Sequence, residues 1–382
     1  MKNPTISVIC PIYNAGNVLG KCIRSVIDQD FRDIEVILVN DGSTDGSLKV
    51  CQRYARMDDR IVIIDKANEG RNAARRDGTL RASGEYVFYI DADDYLTRDA
   101  LNTLLAMARE KDLDMIAGSH DKVFDSWGIL SRPDGHYKNS ERLLSGRDFL
   151  EICLGLIPSS SGEGIFMWGN LYRRSCIYEA MNQGEQYLFP PSKEMLSEDI
   201  IFNLIIAKYI RSCWLTDKVI YHYRCGGATS GYYPWFTKAK YYFDYRHETC
   251  LEYGMEDKLK SGVLSCAYMA YIEAAQRIYF LKTPIDEVTE SYMKVFSESK
   301  TVAWARQHCE EMTAYIKDPS KLPPSQLAMA VKAVVEGDSA AFANAILIQE
   351  RFMRRHHYWK MRLLAPYMYM TNILYRLVNM CK

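Results

Sequence analysis

Residues 86–94 read Tyr86-Val87-Phe88-Tyr89-Ile90-Asp91-Ala92-Asp93-Asp94, five apolar or aromatic residues that give way at once to acid. A strand with no polar alternation is one covered on both faces, the usual state of strands in a parallel sheet. The same signature recurs upstream in Ile6-Ser7-Val8-Ile9-Cys10, in Glu35-Val36-Ile37-Leu38-Val39 and in Ile61 to Ile64. Between these runs, Leu19, Cys22, Ile23, Val26 and Ile27 fall on one helical face. Leu48, Val50 and Cys51 follow Thr44 and Asp45, either of which is suited to cap a helix. A further helix is predicted near Asn72 to Ala82. Strand and helix alternating at short intervals predict an α/β fold, with a Rossmann-like, mostly parallel sheet and helices on both faces. Ligands in such sheets bind beyond the carboxyl ends of the strands, so the residues directly after each strand carry the functional information.

Composition narrows the class. The 382 residues contain 48 lysines and arginines against 48 aspartates and glutamates, a balance that argues against a nucleic-acid partner. None of the eleven cysteines forms a CxxC pair. Cys10, Cys22, Cys51, Cys153 and Cys176 are scattered through apolar runs as buried free thiols would be. The chain enters a strand within a few residues of Met1, and no segment reaches the roughly 18 apolar residues of a spanning helix. A reduced, cytoplasmic protein is expected.

At the strand ends, Pro11-Ile12-Tyr13-Asn14 offers an aromatic ring and Asn40-Asp41-Gly42-Ser43-Thr44-Asp45-Gly46 a carboxylate, a pair suited to stacking a base and accepting its N–H. The second loop is equally ordinary turn chemistry. Asp91 and Asp93, at alternate positions of an extended chain, would point to opposite sides, one toward a ribose and the other toward a hard cation such as Mn²⁺ or Mg²⁺. A solvated acidic turn at a helix start is the plain alternative.

Taken together, Val8-Ile9-Cys10-Pro11-Ile12-Tyr13-Asn14, Val39-Asn40-Asp41-Gly42-Ser43-Thr44-Asp45, Asn68-Glu69-Gly70 to Ala73-Ala74-Arg75, and Tyr89-Ile90-Asp91-Ala92-Asp93-Asp94 resemble the signature series of family 2 glycosyltransferases. The series is specific and spans roughly the first hundred residues in the right order and spacing. The resemblance implies a glycosyltransferase A fold and a nucleotide-sugar donor, in particular a UDP-sugar. It implies that Pro11 and Tyr13 frame the base, Asp41 bonds the uracil edge, Arg75 supports the nucleotide, Asp91 faces the ribose and Asp93 binds the metal. Farther on, Trp168-Gly169-Asn170-Leu171-Tyr172-Arg173 is similar to the family's segment before the acceptor site, although the third position there is more often lysine. In Leu196-Ser197-Glu198-Asp199 the resemblance makes Asp199 the general base, where a capping box is the structural alternative. One base and one cation imply a single displacement with inversion. Tyr221-His222-Tyr223-Arg224 follows a further short strand, and His222 is a candidate metal or diphosphate ligand. Gly226 to Gly231 reads as a loop able to close over a diphosphate, or as a linker.

The pattern is less regular over 115–164 and becomes helical and tyrosine-rich from about Tyr232, with breaks at Pro284, Pro319, Pro323 and Pro324. A catalytic domain over 1–230 and a helical region over 231–382 are expected. From Arg351 to Lys382 there is no acidic residue, and Arg351, Arg354, Arg355 and Arg362 lie apart from Phe352, Met353, Trp359, Leu363 and Leu364 on a helical projection. This predicts either a helix at a membrane surface or one packed on this chain or on a second copy in a homodimer. The resemblance favours a glycan or lipid-linked glycan acceptor in bacterial surface polysaccharide synthesis. A sugar-nucleotide pyrophosphorylase would need a glycine-rich basic loop after the first strand, which Pro11-Ile12-Tyr13-Asn14 is not. A processive synthase would carry membrane spans and a QxxRW motif. A non-catalytic nucleotide-sugar binder would tolerate loss of Asp91, Asp93 or Asp199, and all three are present.

Overall fold

The apolar runs form strands, and the strands pair in parallel. The computed structural model describes residues 3–123, 131–132, 141–155, 166–185, 188–190, 198–224, 240–317 and 325–355. It divides into two units, one taking in residues up to 230 with 238–262, the other chiefly residues from 263 onward.

The first unit opens with β1 (Ile6–Ile12), α1 (Leu19–Ile27), β2 (Ile34–Asp41), α2 (Ser47–Ala55), β3 (Ile61–Lys66), α3 (Arg71–Arg81) and β4 (Tyr86–Tyr89). It continues through β5 (Tyr95–Leu96), α4 (Ala100–Glu110), β6 (Met115–Val123), β7 (Ser131–Arg132), β8 (Arg142–Ser145) and α5 (Gly146–Gly155). The last elements are β9 (Asn170–Arg173), α6 (Arg174–Asn182), α7 (Glu198–Ile206), β10 (Ser212–Arg224) and α8 (Lys240–Glu252). The ten strands form one sheet in the order β3-β2-β1-β4-β9-β6-β10-β5, with β7 beside β6 and β8 beside β10.

The expected parallel half is present: β3, β2, β1 and β4 run side by side, so their carboxyl ends share one edge. Beyond β4 the sheet becomes mixed, because β9 enters antiparallel between β4 and β6. Alternate residues of β1 divide between two faces, and Ile6, Val8, Cys10 and Ile12 pack with Leu19, Cys22, Ile23 and Val26 of α1. The cysteines of this core are free and buried, as expected. The N-cap of α2 is Gly46 rather than Thr44 or Asp45, and it has no side chain to cap with; the Asp45 carboxylate, one residue earlier, accepts the Ser47 N–H at 2.8 Å.

On the other face α3 lies so close to the sheet that a Cβ at Gly78 would sit 2.5 Å from Ile9 Cγ2. Ile9 is fully buried, so it has nowhere to go. Gly78→Ala is therefore expected to cost about 1–3 kcal/mol through overpacking, against roughly 1 kcal/mol gained in helix propensity. A lower melting temperature by calorimetry is the expected result, and an unchanged one would show that β1 and α3 separate freely.

The second unit holds most of α9 (Asp257–Gln276), a π-turn over Arg277–Leu281, α10 (Ile285–Glu298), α11 (Lys300–Gln307), α12 (Cys309–Lys317) and α13 (Ser325–Glu336). Val288, Tyr292 and Phe296 form the buried stripe of α10, and the Tyr292 hydroxyl donates to buried Glu273 at 2.6 Å. Among the described residues no helix is long and apolar enough to cross a membrane. Most of the basic, aromatic stretch over 351–382 and the whole of Gly226 to Gly231 lie outside the described residues.

Candidate active site

The loops after β1, β2 and β3 are stitched together at the carboxyl edge. Asn14, in the left-handed region with φ 51°, accepts the Thr44 N–H at 2.8 Å, and its own N–H donates to Ser43 Oγ at 3.1 Å. The ring of Tyr13 is left 54% exposed at this edge, where a base could stack on it, while Pro11 is buried within β1. Asp41 is otherwise occupied than a base contact would have it. It is 2% exposed, and its two carboxylate oxygens accept the N–H groups of Glu69 at 2.9 Å and Gly70 at 2.8 Å, which fixes the entry to α3.

That entry presents two arginines one turn apart on the same face of α3. Arg75 is fully buried and spans two carboxylates, its Nη2 2.9 Å from Asp91 and its Nη1 2.8 Å from Asp199. The resemblance implies that Arg75 supports the nucleotide. The fold makes it a strut between the end of β4 and the start of α7. Arg71, 44% exposed in its side chain, bonds Glu198 and lies 3.9 Å from Asp91. Neither Arg71 nor Glu198 was singled out from the sequence, although spacing to Arg75 and Asp199 was a usable signal.

Asp199 stands in the first turn of α7. Its carboxyl is pushed up to about 6, chiefly by withdrawal from water, with the Arg75 guanidinium pulling the other way. A carboxylate poised there is largely ionised at neutral pH yet basic enough to accept a proton. Behind it, Asn203 donates to the Asp199 carbonyl at 3.1 Å and accepts from the Tyr172 hydroxyl at 2.8 Å. Asn170 belongs to the same buried network through Tyr172 and the Phe166 carbonyl.

Residues 91–94 form a tight turn, with the Asp94 N–H donating to the Asp91 carbonyl at 3.1 Å. The extended geometry expected from alternation is thus corrected: β4 ends at Tyr89, and a turn rather than a pleat sets the carboxylates. Asp91 faces Arg75, and Asp94 is 1% exposed and bonded to Tyr221 and to the Arg224 N–H. Asp93 is half-buried, bonded by no side chain among the described residues, and its carboxyl is raised by burial and by the charge of Asp91. Among the described residues no group of three or more His, Cys, Asp or Glu is placed to hold a metal ion. A hard dication completed by phosphate oxygens needs only one or two carboxylates, so a lone, desolvated Asp93 fits Mn²⁺ or Mg²⁺.

His222 lies inside β10 rather than after a strand. Its Nδ1 is 2.6 Å from Asp121, and its ring packs on Tyr95 with centroids 4.7 Å apart.

Residues 7–161 match the model of Glycosyl transferase family 2. That stretch of the chain is similar to the family. Curated relatives include glycosyltransferase GlyA of Streptococcus pneumoniae, 32% identical over 52% of this chain and 29% of that one. The uncharacterized glycosyltransferase YibD of Escherichia coli is 36% identical over 46% of this chain and 51% of its own. A GalNAc(5)-diNAcBac-PP-undecaprenol beta-1,3-glucosyltransferase of Campylobacter jejuni is 31% identical over 46% and 62%. The chain therefore spans less than two thirds of each of these relatives. Among solved structures, S. aureus TarS 1-349 in complex with UDP-GlcNAc superposes with a TM-score of 0.59 at 17% identity, over 92% of both chains, a likeness that shows the fold. The family 2 stretch includes Asp41, Arg75, Asp91 and Asp93, whereas Glu198, Asp199 and His222 lie beyond it.

Proposed function

We propose that this chain transfers a sugar, with inversion, from a nucleotide diphosphate donor, in particular a UDP-sugar, to a hydroxyl of a glycan or lipid-linked glycan acceptor. One observation carries the reading: the carboxylate turn at 91–94 and the base candidate Asp199 meet at the sheet edge through a single buried arginine. An acceptor hydroxyl is a poor nucleophile until a carboxylate takes its proton during attack on the anomeric carbon, and Asp199 is the group whose acidity suits that task. Tyr13 would stack the base and Asp91 would face the ribose. Asp93 would hold Mn²⁺ or Mg²⁺, which when bound neutralises the charge gathering on the departing diphosphate. The half-exposed guanidinium of Arg71 is a further cation available to phosphate oxygens. Support for the donor comes from the family and from the UDP-GlcNAc bound to TarS. Support for the acceptor comes from the undecaprenol-linked glycan in the name of the Campylobacter relative.

A panel of UDP-, GDP- and dTDP-sugars, assayed for nucleotide release with Mn²⁺, Mg²⁺ or EDTA, tests the reading. Release from a UDP-sugar that EDTA suppresses and Mn²⁺ or Mg²⁺ restores is the expected result. Metal-independent release would remove the role given to Asp93. Absence of both release and calorimetric binding across the panel would overturn the donor class.

A further inference from the structure

The geometry points to Tyr221 as the positioning residue of the carboxylate turn: its hydroxyl, with Asp94, sets the direction in which Asp93 is presented to a metal–nucleotide. The inference rests on the reading of Asp93 given above. One phenol oxygen makes two bonds at opposite ends of the four-residue turn. It accepts the Asp91 N–H at 3.1 Å and donates to Asp94 Oδ2 at 2.6 Å. The other Asp94 oxygen accepts the N–H of Arg224 at 2.8 Å, three residues farther along the same strand. Asp93 lies between the two clamped positions, so its backbone has little freedom left once both are fixed.

Neither member of the clamp is available to substrate, because Tyr221 is 0% and Asp94 1% exposed. A buried pair of this kind acts through what it holds. The phenol is itself seated firmly, with Trp168 stacked on it at 4.5 Å and 23°. Gly169, at φ +74°, also flanks the ring, where a Cβ would make an ordinary van der Waals contact at 3.5 Å. Just ahead of it β10 carries one extra residue against β6, since Val219 pairs with Ser119 and Tyr221 with His120. Such bulges re-aim the side chains that follow them. Phenylalanine would fill the same space and keep the stack. It would leave a part-buried N–H and a buried carboxylate oxygen each short of a partner, and the turn would relax to find others. Groups that orient a metal ligand are typically worth 10–100-fold in metal affinity.

The test uses the full chain, with Mn²⁺ and UDP as probes. Mn²⁺ binding in the presence of UDP is followed by the electron paramagnetic resonance signal of free Mn²⁺, and UDP binding in EDTA by calorimetry. Tyr221→Phe is expected to raise the Mn²⁺ half-saturation concentration at least about tenfold while leaving metal-free UDP affinity within about twofold. A merely structural hydroxyl would move both together or neither. Asp94→Asn, which still offers an oxygen to the strand, is the second variant and serves if the first does not fold; the same selective loss is expected of it. Unchanged Mn²⁺ affinity in the folded variants overturns the assignment. Asp93→Asn is the control that separates the two levels. If wild-type protein binds Mn²⁺ and UDP and Asp93→Asn binds them equally well, the metal reading itself fails, and the role given to Tyr221 falls with it.

Discussion

Asp199→Asn is expected to slow sugar transfer by at least about a hundredfold while UDP binding stays within about twofold, because a general base acts in the transition state and hardly at all in the ground state. Asparagine keeps an oxygen for the Arg75 Nη1, now 2.8 Å from the carboxylate, so the strut to Asp91 persists and the fold is not asked to absorb a stray cation. The pH dependence follows from the same environment. With the carboxyl near 6, kcat/KM in the wild type should fall about tenfold for each unit below that value as the base becomes protonated. The variant should lack this acid limb. Stability should move the other way. The folded value lies above the unfolded one, so folding disfavours the ionised carboxylate, a cost present at neutral pH that fades as pH falls through about 6. Asparagine removes the cost, and the variant should melt no lower than wild type at pH 7. Retained transfer with weakened UDP binding would instead make Asp199 a helix-start residue and move the base elsewhere.

Arg75→Met should damage the protein itself. Arg75 is fully buried and is the counter-charge for Asp91 and Asp199, with Glu198 3.9 Å away. Removing one partner from a buried pair costs about 3–5 kcal/mol, since the remaining charges stay desolvated and unpaired. The lower end is expected, because the side chains of Asp91 and Asp199 keep 15% and 19% of their exposure and can draw in water. Arg75→Lys should fall between, for an ammonium is a point charge that cannot span two carboxylates as the fork does. Acid should rescue the methionine variant. Without the guanidinium the Asp199 carboxyl, already raised by burial, loses the charge that holds it down and titrates higher still when folded, so lowering the pH protonates it and returns stability. Urea unfolding at pH 8 and pH 5.5 checks this. A deficit that is equal at both values would mean that Arg75 contributes packing rather than charge.

The parallel half of the sheet was legible because its signal is local. Ile6 to Cys10, Glu35 to Val39 and Tyr86 to Ile90 are apolar on both faces, and only a doubly covered strand has use for that. Asp91 and Asp93 were legible for the same reason, being the first acids past such a strand. The mixed half was not. β6, β9 and β10 are short or interrupted runs whose neighbours are set by chain path, and the pairing of Met115 with Tyr172 leaves no trace in either segment. Within the site, the sequence by itself determined which side chains are present at the ligand edge: Tyr13, Asp41, Arg75, Asp91, Asp93 and, at a helix start, Asp199. Only the tertiary structure decided what each one touches. It turned Asp41 inward onto the amides of Glu69 and Gly70, and it set Arg75 between two acids, one of them 124 residues away. It also brought Tyr221 across to the turn after β4. The reason is physical: periodicity reports which face of an element is buried, whereas the strength of a buried ion pair or hydrogen bond depends on distances of a few ångströms between segments far apart in the chain.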